Sequence, residues 1–392
     1  MSEFNINADV VLSPKGVRRI QQGHLWVYEG DVVSEPGRME EPIVRLRDTA
    51  QNPLGYAFYS GQSKIRIRLI SREPGPPNEE MFRKRIAAAI ERRRGIISPS
   101  SACRLVYGES DLLPSIVVDR YGDYLVLQTL ARGADIIKTK LVEILTDLIR
   151  PVGIMERNDV KARKLEGLQE RRGTLWGTIP ERIEIQESGI RFMVDLLGGQ
   201  KTGFFLDQRE NRIAAASYAF GKALDCFTNS GGFALHFAPR CDRVLGLDSS
   251  EAAIEQARIN AEINHFQNVQ FESANVFDRL RELERAGERF DVICLDPPAF
   301  AKNRSALPGA LGGYKEINLR AMKLLNPDGI LITSSCSYHL SEAAFANLLH
   351  EAALDAHRYV QILERRTQGV DHPILSGMPE THYLKCLILR VI

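Results

Sequence analysis

Residues 222–233, KALDCFTNSGGF, decide the fold, because they form a short apolar strand, a loop with paired glycines and the start of a helix. After this stretch, strand-like and helix-like segments alternate: RVLGLD (243–248), SEAAIEQARINAEINH (250–265), VQFES (269–273), DVICLD (291–296), YKEINLRAMKLL (314–325) and GILITSS (329–335). Such alternation is typical of a doubly wound parallel sheet in the α/β class. Ligands of these sheets bind beyond the carboxyl ends of the strands, and the distinctive motifs of this chain all follow strands.

Two smaller regions precede the α/β region. Residues 1–77 contain short strand-like runs separated by Gly, Pro, Asn and Ser, which predicts a small β-barrel. Residues 78–178 combine helical segments with a hairpin signal at 120–123, which predicts a small α+β middle domain. The predicted organisation is therefore three domains, of which the α/β domain covers residues 179–392.

The composition excludes several protein classes. Of the 392 residues, 44% are hydrophobic and 26% are charged, as in an ordinary globular protein. No run approaches the ~20 apolar residues of a membrane span, and Glu3 and Asp9 stand where a signal peptide is basic and then apolar. The six cysteines form no CxxC or Cys/His pattern. We therefore expect a cytoplasmic protein with reduced thiols, no metal site and no membrane contact.

Basic residues are concentrated at the front of the chain, where residues 1–94 hold 16 Lys and Arg against 12 Asp and Glu. Arg45 and Arg47, and likewise Arg66 and Arg68, alternate with apolar residues, so each pair shares one strand face. Clustered arginines favour phosphate contacts, which makes these four residues candidates for nucleic-acid binding. A plain solvated strand face is the alternative explanation.

Polar residues at three successive strand ends predict a cofactor site. Asp225 opens the loop that contains Gly231, and the paired glycines let a ligand approach the backbone closely. The loop lacks the GxGxxG spacing, which disfavours a dinucleotide. Asp248 follows the second strand, where an acid commonly binds ribose hydroxyls, and Asn275 follows the third, where an amide suits an adenine edge. Structural roles in helix capping and turns are the alternative for these two residues.

Two further strand ends carry reactive groups. Asp296 follows an apolar strand in LDPPAF (295–300), and Cys336 lies in TSSCSYH (333–339) at the end of the next strand. A nucleophilic thiol needs a polar or positive setting that lowers its pKa, which loop amides, Lys315 or His339 would supply. The other thiols are interpreted as small core residues, with Cys226 left unassigned: Cys103, Cys241, Cys294 and Cys386.

The motifs DCFTNSGGF, GLDSS, LDPPAF, GGYKEIN and SSCSYHLS, in that order, resemble a class I S-adenosylmethionine methyltransferase that acts on RNA. The front barrel resembles a PUA RNA-binding domain. The middle domain of such proteins is resembled by residues 108–128, GESDLLPSIVVDRYGDYLVLQ, and the entry motif of their catalytic domain by residues 201–212, KTGFFLDQRENR. Together these segments resemble the bacterial family of large-subunit ribosomal RNA cytosine-C5 methyltransferases with an N-terminal PUA domain.

The resemblance implies a Rossmann-like methyltransferase domain that binds S-adenosyl-L-methionine and a ribosomal RNA substrate. It makes Cys336 the nucleophile and Asp296 the carboxylate that holds the base. It also implies that the enzyme is a homodimer. The cofactor residues that it implies are Gln208, Asp225, Phe227, Gly231, Asp248, Ser249, Asn275 and Val276. The candidate substrate contacts are Lys315 and the four arginines named above for their charge, Arg45, Arg47, Arg66 and Arg68.

Three other functions stay open at the level of sequence. One is methylation at C5 of uridine. Another is methylation of an exocyclic amine, because DPPAF resembles a (D/N)PPY motif, although Phe300 stands one residue beyond the aromatic position. The third is a non-catalytic RNA-binding factor in ribosome assembly. Only chemistry at C5 requires the Cys336 thiol, because C5 becomes nucleophilic after a thiolate adds to C6.

Overall fold

A computed structural model describes residues 4, 6, 8–36, 43–96, 102–199, 202–301 and 304–392. Contacts within the chain divide it into two compact units. The first comprises residues 1–185, 194–206 and 370–381, and the second comprises residues 186–193, 207–369 and 382–392. The finer division into domains at residues 1–77, 78–178 and 179–392 stays a prediction.

The first unit begins with a six-stranded sheet in the order β2-β6-β5-β4-β1-β3. Its strands are antiparallel except for the parallel pair β1 and β4. One face is packed with apolar side chains such as Val10, Val27, Leu46 and Ile67, all fully buried. The elements are β1 (Asp9–Leu12), α1 (Pro14–Gln21), β2 (Trp26–Tyr28), β3 (Val32–Ser34), β4 (Ile43–Arg47), β5 (Pro53–Tyr59) and β6 (Ile65–Ser71).

A five-stranded sheet in the order β11-β10-β9-β8-β7 completes the first unit. The predicted hairpin is confirmed, since Tyr121 pairs with Tyr124 across a two-residue turn in which Gly122 has a φ of +57°. Ile43 and Phe58 of the preceding sheet belong to the same buried cluster as this sheet. The elements are α2 (Glu79–Arg93), β7 (Ala102–Tyr107), β8 (Ile116–Tyr121), β9 (Tyr124–Thr129), α3 (Arg132–Ile136), α4 (Lys138–Ile149), β10 (Gly153–Arg157) and β11 (Arg172–Gly177).

The chain then forms a two-stranded hairpin and the seven-stranded sheet of the second unit, in the order β16-β15-β14-β17-β18-β20-β19. Strands β14 to β18 are parallel, as the sequence predicts, whereas β20 is antiparallel to both of its neighbours. The elements are β12 (Arg182–Glu187), β13 (Ile190–Asp195), α5 (Arg209–Ser217), β14 (Lys222–Cys226), α6 (Gly232–Phe237), β15 (Arg243–Asp248), α7 (Glu251–Ile263), β16 (Val269–Ser273), α8 (Val276–Arg285), β17 (Phe290–Leu295), α9 (Leu307–Leu324), β18 (Leu325–Ser335), α10 (Glu342–Asp355), β19 (Val360–Arg366) and β20 (Lys385–Val391).

Helices cover both faces of this sheet because alternate strand residues point to opposite faces. On β17, Ile293 and Leu295 pack with α8, α9 and α10, whereas Val292 and Cys294 pack with α5 and α6. The strand order reverses between β14 and β17. These two strands are neighbours in the middle of the sheet and are parallel, so their carboxyl ends lie at the same end of the sheet. The α/β fold class is confirmed, and this reversal point is where such sheets bind ligands.

The helices that follow β16 and β17 differ from the sequence prediction. A helix, α8, lies between β16 and β17, where the sequence analysis named only the two strands. Helix α9 begins at Leu307, seven residues before the predicted start at Tyr314, because Pro308 occupies a first-turn position where its missing N–H costs nothing. No helix within the described ranges is long and apolar enough to cross a membrane.

Candidate active site

The predicted site residues of the second unit lie at one edge of the seven-stranded sheet. Asp225, Asp248, Asp296 and Cys336 each stand at or just beyond the carboxyl end of a parallel strand. The loops are joined by backbone hydrogen bonds, from Thr228 N to Leu247 O (2.9 Å) and from Asp296 N to Cys226 O (3.3 Å). The topology thus brings together groups that are more than a hundred residues apart in sequence.

The loop after β14 has an unusual backbone. Phe227, Asn229 and Gly231 have φ angles of +63°, +50° and +86°. Positive φ is uncommon for a bulky residue such as Phe227, and strained backbone of this kind clusters at binding sites. Gly231 is buried, and a Cβ there would lie 3.2 Å from the ring of Phe271. The loop therefore requires a glycine at position 231.

Asp225 is fully buried at the base of this loop. Its Oδ2 accepts hydrogen bonds from the Thr228 hydroxyl (2.5 Å) and the Ala234 amide (2.9 Å). Its Oδ1 has no hydrogen-bond partner among the described residues. Burial raises the pKa of Asp225 to about 7, and the negative charge of Asp296 adds to the rise. An orphaned acceptor in this setting suits a ligand that carries positive charge.

Asp248 and Asn275 organise the neighbouring loops. Asp248 is half-buried and accepts the amides of Asn229 (3.0 Å) and Ser250 (2.9 Å), so it fixes the loop after β14 to its own. Asn275 caps α8 by accepting the amides of Phe277 and Asp278. The helix-terminal role considered for Asp248 is taken by Ser250, which caps α7, and Asn275, considered as a turn residue, caps a helix instead.

The remaining predicted cofactor residues have different environments. Ser249 is exposed, Val276 is buried at the start of α8, and Phe227 is half-buried with its ring 6.4 Å from that of Phe300. Gln208 is buried, and its Nε2 donates to Asp296 Oδ1 at 2.7 Å. The Gln208 Oε1 accepts from Asn211 at 2.6 Å, which fixes the orientation of the amide. Gln208 therefore positions the Asp296 carboxylate.

Cys336 differs from the other five cysteines, all of which lie in the described part of the chain. It is half-buried, whereas the other five are buried. Its Sγ lies 3.9 Å from the carbonyl oxygen of Pro297, the residue after Asp296. The next residue, Ser337, is fixed by the Tyr314 hydroxyl (3.0 Å) and the Ala301 amide (3.2 Å). The thiol is thus accessible and borders the loop that carries Asp296.

The cationic neighbour of Cys336 is Lys385, which the sequence analysis did not assign to the site. Lys385 is 3% exposed and donates from Nζ to the carbonyls of Ser337 (2.7 Å) and Tyr383 (2.9 Å). Burial lowers the pKa of Lys385 to about 8, an effect that the Cys336 charge opposes. The signal in the sequence was a lysine directly before the apolar run CLIL (386–389) of the strand KCLILRV (385–391), since lysine is almost never buried without a reason.

The two groups that the sequence offered as partners for the thiol have other contacts. Lys315 lies on α9 and pairs with Asp355 at 2.9 Å and Glu351 at 3.5 Å. His339 is exposed and packs against the Tyr338 ring at 5.3 Å. Neither contact involves Cys336, and the substrate role of Lys315 stays a prediction.

The arginines predicted to contact RNA lie in the first unit, and all four form ion pairs. Arg45 and Arg47 both bind Asp9, at 2.8 and 2.6 Å, and Arg66 binds Glu29 at 2.6 Å. Arg68 is only 6% exposed, and its guanidinium is held by the buried Glu166 at 2.6 Å. Arg68 is therefore suited to holding the first unit together, and an RNA contact stays a prediction for all four.

The donor set fits S-adenosyl-L-methionine, which carries a positive sulfonium and an α-ammonium group. Asp225 Oδ1 has no hydrogen-bond partner among the described residues and can accept from a cation, and Asp248 is hydrogen-bonded to the loop that Asp225 opens. Within the described ranges, no group of three or more His, Cys, Asp or Glu is placed to hold a metal ion.

Family models match two parts of the chain. Residues 10–72 match a PUA-like domain, and residues 221–374 match a methyltransferase domain. Two solved structures share the fold, and each covers 98% of this chain and 100% of its own at 21% identity. One is a candidate SAM-dependent methyltransferase from Streptococcus mutans (TM-score 0.83), and the other is a methyltransferase candidate complexed with SAH (TM-score 0.85). The expected PUA-like and Rossmann-like methyltransferase domains are confirmed, and the match to a methyltransferase domain supports S-adenosyl-L-methionine as the cofactor.

Curated relatives match almost the whole chain. The Ribosomal RNA large subunit methyltransferase I of Tolumonas auensis is 42% identical over 99% of this chain and 100% of its own length. The protein of the same name from Photobacterium profundum is 41% identical over 94% of this chain and 95% of its own. Identity at this level over the full length means that the chain belongs to the family of ribosomal RNA large subunit methyltransferase I.

Proposed function

We propose that this enzyme forms 5-methylcytosine in large-subunit ribosomal RNA through a transient bond between Cys336 and C6 of the base. The observation that carries the proposal is the half-buried Cys336 thiol, which borders the Asp296 loop at the edge of the sheet that carries the cofactor residues. The names of the curated relatives support ribosomal RNA of the large subunit as the substrate.

A thiol is needed because C5 of the base must be activated before it can accept a methyl group. C5 of a pyrimidine is a poor nucleophile until a thiolate adds to C6, which makes C5 enamine-like. In the proposed reaction Cys336 Sγ forms a bond to C6, C5 accepts the methyl group, a base removes the C5 proton, and the S–C6 bond breaks as the ring double bond returns. When bound, S-adenosyl-L-methionine supplies the electrophilic methyl group.

Asp296 is proposed to hold the base during this addition. Charge builds on the N3 and amino side of the ring as Cys336 adds to C6, and a carboxyl group that shares a proton there stabilises the adduct. Gln208 holds one oxygen of Asp296 at 2.7 Å, which limits the orientations of the carboxylate. The target base must leave its stack to reach these groups, so loosened or single-stranded RNA is the expected substrate.

Several further assignments belong to the same proposal. Arg45, Arg47 and Arg66 are proposed to meet phosphates, exchanging their carboxylate partners for RNA. Three domains, at residues 1–77, 78–178 and 179–392, are proposed to divide RNA binding from catalysis. A cytoplasmic location and a homodimer remain expectations from the family resemblance.

A tritium-release assay tests the chemistry directly. Ribosomal RNA from cells that lack this gene is labelled at C5 of cytosine and incubated with enzyme and S-adenosyl-L-methionine. The Cys336→Ala variant should reduce release by roughly 10³-fold or more, because it removes the nucleophile. The Cys241→Ala variant is the matched control, since Cys241 is buried beyond α6. Normal turnover by Cys336→Ala would refute the nucleophile.

The same assay separates the alternatives. Release only from RNA labelled at C5 of uridine would identify a uridine enzyme. Methyl incorporation without any release would indicate an exocyclic amine, and RNA binding without incorporation would indicate an assembly factor. RNA that carries 5-fluorocytidine should trap a denaturation-resistant adduct with the wild type and with Cys241→Ala, and none with Cys336→Ala, because the fluorine cannot leave as a proton does.

A further inference from the structure

We propose that Lys385 is the positioning residue that holds Cys336 as a thiolate, so that the two side chains form an ammonium–thiolate pair before the base binds. The inference rests on the proposed function, since it assigns a purpose to the thiolate. It adds a residue on the last strand of the sheet to a site otherwise formed by the ends of the parallel strands.

The first observation is that the sheet places the two residues side by side. Lys385 begins β20 and lies directly opposite Ser335, the last residue of β18, in the antiparallel register. Cys336 is the next residue after Ser335. The Lys385 ammonium reaches past this end and donates to the carbonyl of Ser337 at 2.7 Å. Lys385 therefore contacts the backbone on the far side of the cysteine and holds the turn that presents the thiol.

The second observation is that the buried ammonium has no carboxylate partner. Two carbonyls accept from Nζ, and no Asp or Glu of the described residues forms an ion pair with it. Glu342 acts on Lys385 through its charge, but this carboxylate pairs with Arg365 at 2.9 Å. A buried charge without a counter-ion is costly, and its presence requires compensation. A thiolate at Cys336 supplies the missing negative charge.

The groups that face the pair act on the charge of the thiol in different directions. Tyr314 on α9 interacts with the charge of Cys336, and burial raises the pKa of its phenol, so the phenol stays neutral and places no negative charge beside the thiol. Lys385 on β20 is the cation, and Glu342 at the start of α10 is engaged elsewhere. In the loop after β17, the Pro297 carbonyl lies 3.9 Å from Sγ and accepts a hydrogen bond only from a protonated thiol, so this group opposes the thiolate, and the Lys385 ammonium has to outweigh it.

The activating step is a simple acid dissociation. The S–H bond of Cys336 breaks, its proton passes to water, and the negative charge stays on sulfur beside the positive charge on Nζ. Cationic neighbours lower a thiol pKa from ~8.5 into the range of roughly 3.5–7.5. The thiolate is then ready to add to C6 without a separate base.

The pH dependence of Cys336 alkylation tests the pair in the full-length protein. Iodoacetamide is added across the range from about pH 5 to about pH 10, and the Cys336 peptide is quantified by mass spectrometry. We expect the wild-type midpoint to lie at least about one unit below ~8.5 and to rise by about one unit or more in Lys385→Met, which slows alkylation near neutral pH roughly tenfold. Lys385→Arg keeps the charge and should keep the low midpoint. Lys323→Met removes a lysine of the α9 surface and should change nothing.

Two results would overturn the inference. One is an ordinary wild-type midpoint near 8.5, which decides the matter even if Lys385→Met does not fold. The other is an unchanged midpoint in a folded Lys385→Met protein. Alkylation involves no methyl transfer, so the inference and the proposed function fail separately. A lysine-dependent low midpoint without tritium release would leave the pair intact and refute cytosine-C5 chemistry.

Discussion

Replacing Asp225 by Asn should change how the stability of the second unit depends on pH. The folded carboxyl has a pKa of about 7 against an ordinary value of 3.8, because it is fully buried. As the pH rises, the unfolded chain therefore loses the Asp225 proton at a lower pH than the folded protein does. The group lowers the stability of the fold progressively between about pH 4 and about pH 7, and the deficit stays constant above that.

The size of the effect follows from the shift. Roughly 3 pKa units at about 1.4 kcal/mol each correspond to about 4 kcal/mol over the whole window. Between about pH 5 and about pH 8, the wild type should lose roughly 2–3 kcal/mol relative to Asp225→Asn, which has no proton to release. The new amide N–H at the Oδ1 position adds a cost of about 1–3 kcal/mol, but that cost does not change with pH.

Hydrogen exchange of the β14 and β17 amides, followed by mass spectrometry in ligand-free protein, measures this difference. Both tryptophans, Trp26 and Trp176, belong to the first unit, so their fluorescence would follow the wrong part of the chain. Glu187→Gln is the control of opposite sign. Burial alone would raise the pKa of Glu187, but the Arg212 guanidinium holds this pKa below its ordinary value. The Glu187 carboxylate therefore stabilises the fold at a pH above its ordinary pKa, and this stabilisation is lost as the pH falls through the folded pKa. Equal pH dependence of wild type and Asp225→Asn would refute the reasoning.

Gln208→Leu should lower the methylation rate roughly tenfold or more while cofactor affinity, measured by calorimetry, changes less, because the variant releases the Asp296 carboxylate. A rate equal to that of the wild type would show that this hydrogen bond is dispensable. Gly231→Ala should weaken cofactor binding and cost about 1–2 kcal/mol of stability, since it forces a side chain into positive φ. Arg68→Met should destabilise the first unit by roughly 3–5 kcal/mol because Glu166 stays buried without its partner. Weaker RNA binding by a fully stable Arg68→Met protein would instead support a direct RNA contact.

The sequence predicted the parallel sheet and the strand ends of the site because both depend on local patterns. Apolar strands such as 291–295 alternate with helices, and the polar motifs begin where those strands stop. The topology then brings the motifs to one edge without any further information. The resemblance to a methyltransferase added the cofactor, which the unpartnered oxygen of Asp225 fits.

The parts that were missed depend on contacts between distant segments. Nothing local to residues 385–391 says that this strand lies antiparallel between β18 and β19, so the neighbour of Cys336 could not be read from its own segment. The same holds for Arg68, whose partner Glu166 is 98 positions away. Strand alternation assigns such an arginine to a face, but only the folded chain shows whether that face is covered.

The position of β20 has a consequence for how the sheet is completed during synthesis. Among the described strands, β19 is hydrogen-bonded to the remainder of its sheet only through β20, which the ribosome makes later than the other strands of that sheet. A nascent chain that has reached residue 381 has translated β19 but not the strand that joins it to β18. The edge of β18 also stays unpaired until then, and open strand edges invite wrong pairing. Lys385, which holds the backbone next to Cys336, thus arrives with the segment that closes the sheet, so partly made chains lack both Lys385 and the paired edge of β18.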